Sequence, residues 1–205
     1  MESLSLIFNY GLAIEKLLIL KYRCVSIPLA EKVFDPVYSN SHYLIQVIAV
    51  SLNPTPATSI PVSSKKTFYP APFASLMEAR SKRKLADRFE IENFGVNLTE
   101  LAPGGMSALL HHHTKQDEFI YIVSGTPTLL INEQEYLLNP ADCMGFKAGD
   151  GVAHQLINRT KELVVYLEIG DRTPGDEVNY PNNDLKGTQL EDGAWSFTHQ
   201  DSCPY

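Results

Sequence analysis

At 205 residues, with 44% apolar and 20% charged side chains, the chain has the composition of an ordinary globular protein with one sizeable core and an appendage, not of a disordered or fibrous one. A net charge of −7 speaks against a general nucleic-acid binder, because the phosphate backbone attracts surplus lysine and arginine. The three cysteines, Cys24, Cys143 and Cys203, are widely spaced and lack Cys-x-x-Cys spacing; they indicate neither a disulfide framework nor a thiolate metal site and fit the reducing cytoplasm best.

Charge is uneven along the chain, with eleven basic against seven acidic side chains up to residue 90 and six against seventeen after it. The apolar run 4–20 is broken by Glu15 and Lys16, so it falls short of the roughly 18 uninterrupted apolar residues of a spanning helix. Its positive charges follow it, at Lys21 and Arg23, the reverse of a secretory signal. No membrane span and no secretion are expected. A second apolar run, 43–50, is β-branched and of strand or short-helix length. Pro54, Pro56 and Pro61, set among Ser, Thr and Ala, then give 51–66 the composition of an extended, poorly packed connector. Residues 1–66 are thus read as an appended segment of unassigned role, ahead of a folded domain at 67–205.

The basic run Arg80-Ser-Lys-Arg-Lys84 is short, lacks interleaved aromatics and sits in an acidic chain, so it reads as a solvated face. From Phe89 onward the pattern is all β. Phe94, Val96 and Leu98 alternate with Gly95 and Asn97, and 128–131 and 136–138 flank a polar turn as a hairpin. Short strands at such intervals indicate a sandwich or barrel. In 163–169, Val164, Tyr166 and Glu168 share one face, for which an outward polar face is the commoner explanation than a role in proton handling. Trp195 and Phe197 face one way in a late strand and are expected to cover an apolar edge.

Function concentrates between Gly105 and Gly125. In a strand His111 and His113 share a face while His112 points away, and Glu118 opens a second alternating run that the bridge 114–117 lets pair with the first. Imidazole nitrogen and carboxylate oxygen suit iron, manganese, nickel, copper or zinc.

Gly105, five residues, His111, one residue, His113, four residues, Glu118, six residues and Gly125 together reproduce the first signature of the cupin family, and the chain resembles a cupin from about Phe68 to its end. The second signature of that family is matched by Asp142, Gly149, His154 and Asn158. Ala141 stands in place of the usual glycine, Lys147 in place of proline, and the loop before His154 is two residues longer. The resemblance implies an all-β double-stranded β-helix, a cupin or jelly-roll barrel, with the N-terminal segment appended. It also implies His154 as a third imidazole ligand beside His111, His113 and Glu118.

Three histidines and one glutamate leave a coordination position open on a divalent metal (Fe, Mn, Zn or Ni) for a small-molecule ligand or substrate. The expected function is a metal-dependent enzyme acting on a small polar molecule, of dioxygenase or of isomerase or epimerase type. The alternative is a non-catalytic ligand-binding or sensor protein, since this barrel hosts both. A homodimer is expected because open barrels have edges to protect and the family commonly pairs them.

Overall fold

A computed structural model describes residues 53–65 and 67–205. The apolar runs 4–20 and 43–50 lie outside the described residues. Among the described residues regular structure is almost wholly β, and no helix is long and apolar enough to cross a membrane.

One antiparallel sheet runs in the order β1 (Arg80–Lys84), β2 (Phe94–Leu101), β9 (Val164–Asp171), β4 (Glu118–Ser124) and β7 (Cys143–Phe146). Facing it are two smaller sheets. The first runs β12 (Trp195–Thr198), β11 (Lys186–Gln189), β10 (Glu177–Asn179), β3 (His112–His113), and the second β6 (Gln134–Leu137), β5 (Thr128–Ile131), β8 (His154–Ile157). The bridges His111↔His154 and Met106↔Ile157 join the two into a second wall. The result is the jelly-roll barrel that the resemblance implies.

Alternation explains which faces close the barrel. Ile120 and Ile122 of β4 point inward and are buried, as are Leu101, Val164 and Tyr166, and they meet Leu129, Leu156 and Phe146 from the other side. A second apolar cluster of Leu109, Val178, Tyr180 and Leu185 is covered by Trp195 and Phe197, the packing role expected of those two aromatics. The hairpin β5–β6 also forms as expected, with Asn132 in the left-handed region at its turn.

Two glycines are dictated by close approach. A side chain at Gly105 would stand 2.7 Å from the Ala79 carbonyl oxygen, and one at Gly125, whose φ is 81°, would stand 2.8 Å from that of Leu163. Asn158 is fully buried just past β8. Its Nδ2 donates to the carbonyls of Leu101 (2.8 Å) and Glu162 (2.7 Å), and its Oδ1 accepts from the Thr160 amide (3.0 Å), which ties the end of β8 to β2.

Several expectations are corrected. The Glu118 run does not pair with the histidine segment: β4 pairs with β7 and β9, whereas β3 pairs with β10. The bridge 114–117 instead carries the chain from one wall to the other, held by Asp176, whose Oδ1 accepts from the amides of Thr114 and Lys115. Within 53–65 the connector is largely exposed, as its composition suggests, but it is anchored at Ile60 and Ser63. Ile60 is only 7% exposed, its carbonyl accepts from Arg83 Nη1 at 2.7 Å, and the Ser63 amide donates to Lys82. The basic run is strand β1, and Arg80, Lys82 and Lys84 line the interior. Likewise Tyr166 and Glu168 face inward, because their register partners Thr99 and Asn97 belong to the inner face of β2, while Phe94, Val96 and the buried Leu98 lie on its opposite face.

Candidate metal centre

The two walls enclose a cavity of about 800 Å³. His111, at its bridge to His154, His113 on β3, His154 at the head of β8 and Glu118 at the head of β4 all line it, whereas His112 does not. Period-2 geometry thus turns the middle histidine of the triplet away, as its position requires.

All three Nε2 atoms aim at Glu118 Oε2, from His154 at 2.7 Å, His111 at 3.4 Å and His113 at 3.6 Å. The donor atoms of His111, His113 and Glu118 lie within 4.8 Å of one another, and His154 joins them through Glu118. The other ring nitrogens of the first two histidines are held from behind. His111 Nδ1 donates to the Leu109 carbonyl at 2.8 Å, and His113 Nδ1 to Asp176 Oδ2 at 2.5 Å. With Nδ1–H fixed in this way, the neutral imidazole turns its Nε2 lone pair to the carboxylate oxygen, an arrangement that calls for a cation among these atoms, either a metal ion or, in its place, the proton of an imidazolium. The donor set of imidazoles and one carboxylate fits a divalent transition metal. His154 Nδ1 is buried with no hydrogen-bond partner in the structure, and its ring instead stacks on Phe146, with centroids 3.6 Å apart and planes within 5°.

Electrostatics follow from these contacts. Burial alone would raise the Glu118 pKa, but hydrogen bonds from His111 and His154 and the charge of His113 hold it well below the usual carboxylate range. Burial disfavours the His113 imidazolium, yet Asp176 and Glu118 favour it more, so its pKa lies above the ordinary histidine value. Burial takes His154 below that value despite Glu118.

Sequence reasoning missed the groups that frame the cluster. Asp176, fully buried, lies 63 residues from the histidine it orients, and Tyr180 stacks over His111 at 6.0 Å. It also favoured an outward face for a second polar group, which lies on the adjoining wall of the cavity. Glu168 Oε1 accepts from Lys82 Nζ at 2.6 Å and from Asn97 Nδ2 at 3.2 Å, and Oε2 accepts from the Tyr166 hydroxyl at 3.2 Å. Alternation of basic residues inside a strand, Arg80, Lys82 and Lys84, was the available signal.

Residues 97–170 match the model of a family described as Cupin domain. No curated protein matches the chain. Among solved structures, a sugar phosphate isomerase from the cupin superfamily of Silicibacter pomeroyi is 35% identical, with a TM-score of 0.70, over 75% of this chain and 96% of its own. A protein from Acidithiobacillus ferrooxidans, provisionally named a sugar phosphate isomerase, is 29% identical with a TM-score of 0.56, over 62% of this chain and 80% of its own. The polyketide cyclase RemF from Streptomyces resistomycificus, 15% identical with a TM-score of 0.52 over 65% of this chain and 87% of its own, shares the fold alone.

Proposed function

The chain belongs to the cupin superfamily, and on that footing we propose that it is a metal-dependent isomerase of a small hydroxycarbonyl compound of the sugar phosphate class, with His111, His113, Glu118 and His154 holding a divalent ion. The observation that carries this reading is the aim of three Nε2 atoms at one carboxylate oxygen inside a cavity large enough for such a substrate. The names borne by the two most similar structures above favour isomerisation over oxygen chemistry. The Fe, Mn, Zn or Ni ion that these ligands suit would act as a Lewis acid on a substrate carbonyl or hydroxyl oxygen.

The chain itself must move a proton, and Glu168 is the group suited to do so. Its inward position on β9 is two residues from Gly170, the register partner of Glu118, so the two carboxylates are diagonal neighbours whose side chains start about 7 Å apart. Burial would raise the pKa of Glu168, but the charge of Lys82 outweighs it and keeps the carboxylate ionised. Oε1 is committed to Lys82 and Asn97, so Oε2 is the proton acceptor. It takes the proton from the hydroxyl-bearing carbon next to the carbonyl, the carbon–hydrogen electron pair moves into the adjoining carbon–carbon bond, and the carbonyl π pair moves onto the carbonyl oxygen to give an enediolate. Glu168 then returns the proton to the former carbonyl carbon while the hydroxyl proton passes to the former carbonyl oxygen, which balances the exchange of aldose and ketose. Tyr166, whose pKa burial and the Glu168 charge push up, stays protonated as a donor to Oε2.

The test is proton NMR with a panel of aldose and ketose phosphates in D₂O. Deuterium should enter at the carbon beside the carbonyl, stop on strong chelation and return with one particular divalent ion. Turnover indifferent to chelation contradicts the proposal, and bound sugar phosphate that is never exchanged favours the non-catalytic sensor instead. We propose a homodimer as well, formed by the outer face of the five-stranded sheet. There Phe119, Tyr121 and Val123 are exposed beside Val96, Leu167 and Ile169 with no charge among them, an uninterrupted apolar patch of the kind that self-pairing uses.

A further inference from the structure

Glu118 on β4 faces Gly170 on β9, and Gly170 faces Gly95 on β2, so the row that begins at the metal cluster continues across two strands with no side chain rising from it. Neighbouring strands are about 4.8 Å apart, which places Gly95 roughly 10 Å from Glu118 along the floor of the cavity. The far end of this bare track is cationic. Arg172, the next inward residue of that chain after Gly170, lays its guanidinium over Gly95: a side-chain carbon there would be 3.6 Å from Arg172 Nη2 and 3.7 Å from Nε. Lys84, inward on β1 opposite Asn97, lines the same end.

Asp87 is shared between Arg172 Nη2 at 2.5 Å and Lys84 Nζ at 3.7 Å, so one carboxylate answers two cations. Arg172 is also positioned by the Ile91 carbonyl, which accepts from Nη1 at 2.9 Å, and its Nε remains on the side of Gly95. The nearby carboxylate of Asp171 accepts from the backbone amides of Asp117 and Thr173, so it is turned away into its own turn. A guanidinium held rigid at two points, with an ammonium beside it, has the planar and point-charge donors that a phosphate monoester takes up.

We infer that Arg172 and Lys84 form an anion subsite that receives the phosphate of the substrate, while its hydroxycarbonyl end reaches the metal cluster across Gly170 and Gly95. This rests on the isomerase reading for what lies at the metal end, but it concerns binding and not turnover. It also gives the two glycines a reason, since a larger residue at Gly170 would stand in the substrate's path and one at Gly95 would press on the Arg172 guanidinium.

The experiment is calorimetric titration of the full-length protein, as purified, with ribose 5-phosphate, ribose and inorganic phosphate. Ribose 5-phosphate should bind about tenfold or more tightly than ribose, from two charge-assisted contacts. That increment should shrink in Lys84→Gln, a half-exposed position that leaves the fold alone, and vanish in the double variant with Arg172→Gln. Inorganic phosphate should still bind after chelation of the metal and fail to bind the double variant. Equal affinity for ribose and its phosphate, or an increment that survives both substitutions, overturns the inference. Phosphate-dependent binding without any isomerisation would sink the isomerase reading and leave the subsite standing.

Discussion

Asp176 governs how well the centre holds its ion, although it touches none of the space the ion would occupy. Its Oδ2 fixes the Nδ1–H of His113, so Asp176→Asn should weaken metal affinity about 10–100-fold, as removal of such a partner generally does, measured by competition with a chromophoric chelator. Glu168 offers a pH test. Its folded pKa lies below the ordinary 4.5, so its stabilising contribution is present above that value and is lost as pH falls through the folded pKa. Urea titrations should therefore show a flatter dependence below about pH 4.5 in Glu168→Gln than in the parent, with the variant less stable near neutrality by about 1–3 kcal/mol because Lys82 keeps its charge without a partner. A variant with the parent's acid profile contradicts the pairing. The grouping of His111, His113 and Glu118 was legible in the chain because their spacing is a pattern of its own, whereas His154 followed from the resemblance and not from spacing, its loop being two residues longer. Asp176 was not, since an aspartate after Pro174-Gly175 is an ordinary turn residue until the fold brings it to His113.

Strand β1 shows where reading by element failed. Alternation advertises an inner face only when that face is apolar, and here Arg80, Lys82 and Lys84 look inward while Ser81 and Arg83 look out, so both faces are polar in sequence. The same holds for Tyr166 and Glu168 on β9, whose inward face turns from core to cavity partway along the strand. The hairpin β5–β6 was legible because its turn is local. The pairing of β4 was not, since its partners β7 and β9 are set by contacts more than twenty residues away. At the junction of β8 and β2, Asn158→Ala should cost about 1–3 kcal/mol by leaving the buried Leu101 carbonyl without this donor, read as a shift in the urea midpoint. Because Asn158 lies outside the cluster, metal content should not change; loss of metal together with stability would mean that β8 positions His154 through Asn158.

At the scale of the whole molecule, the interior of the barrel passes from an apolar core to a polar, chemically equipped cavity, and the outer face of one sheet carries an apolar patch. Phe119→Glu should convert a dimer to monomers in size-exclusion chromatography with light scattering, with metal content unchanged, because Phe119 and Glu118 point to opposite sides of β4. A parent that is already monomeric removes the proposed interface. The central claim concerns the ion itself, and elemental analysis of protein purified without a histidine tag tests it most directly. The account predicts about one divalent transition metal per chain, greatly reduced in His113→Ala, as expected of a centre built from imidazoles and one carboxylate. A parent protein with no stoichiometric metal, or a variant that keeps its full complement, would contradict it.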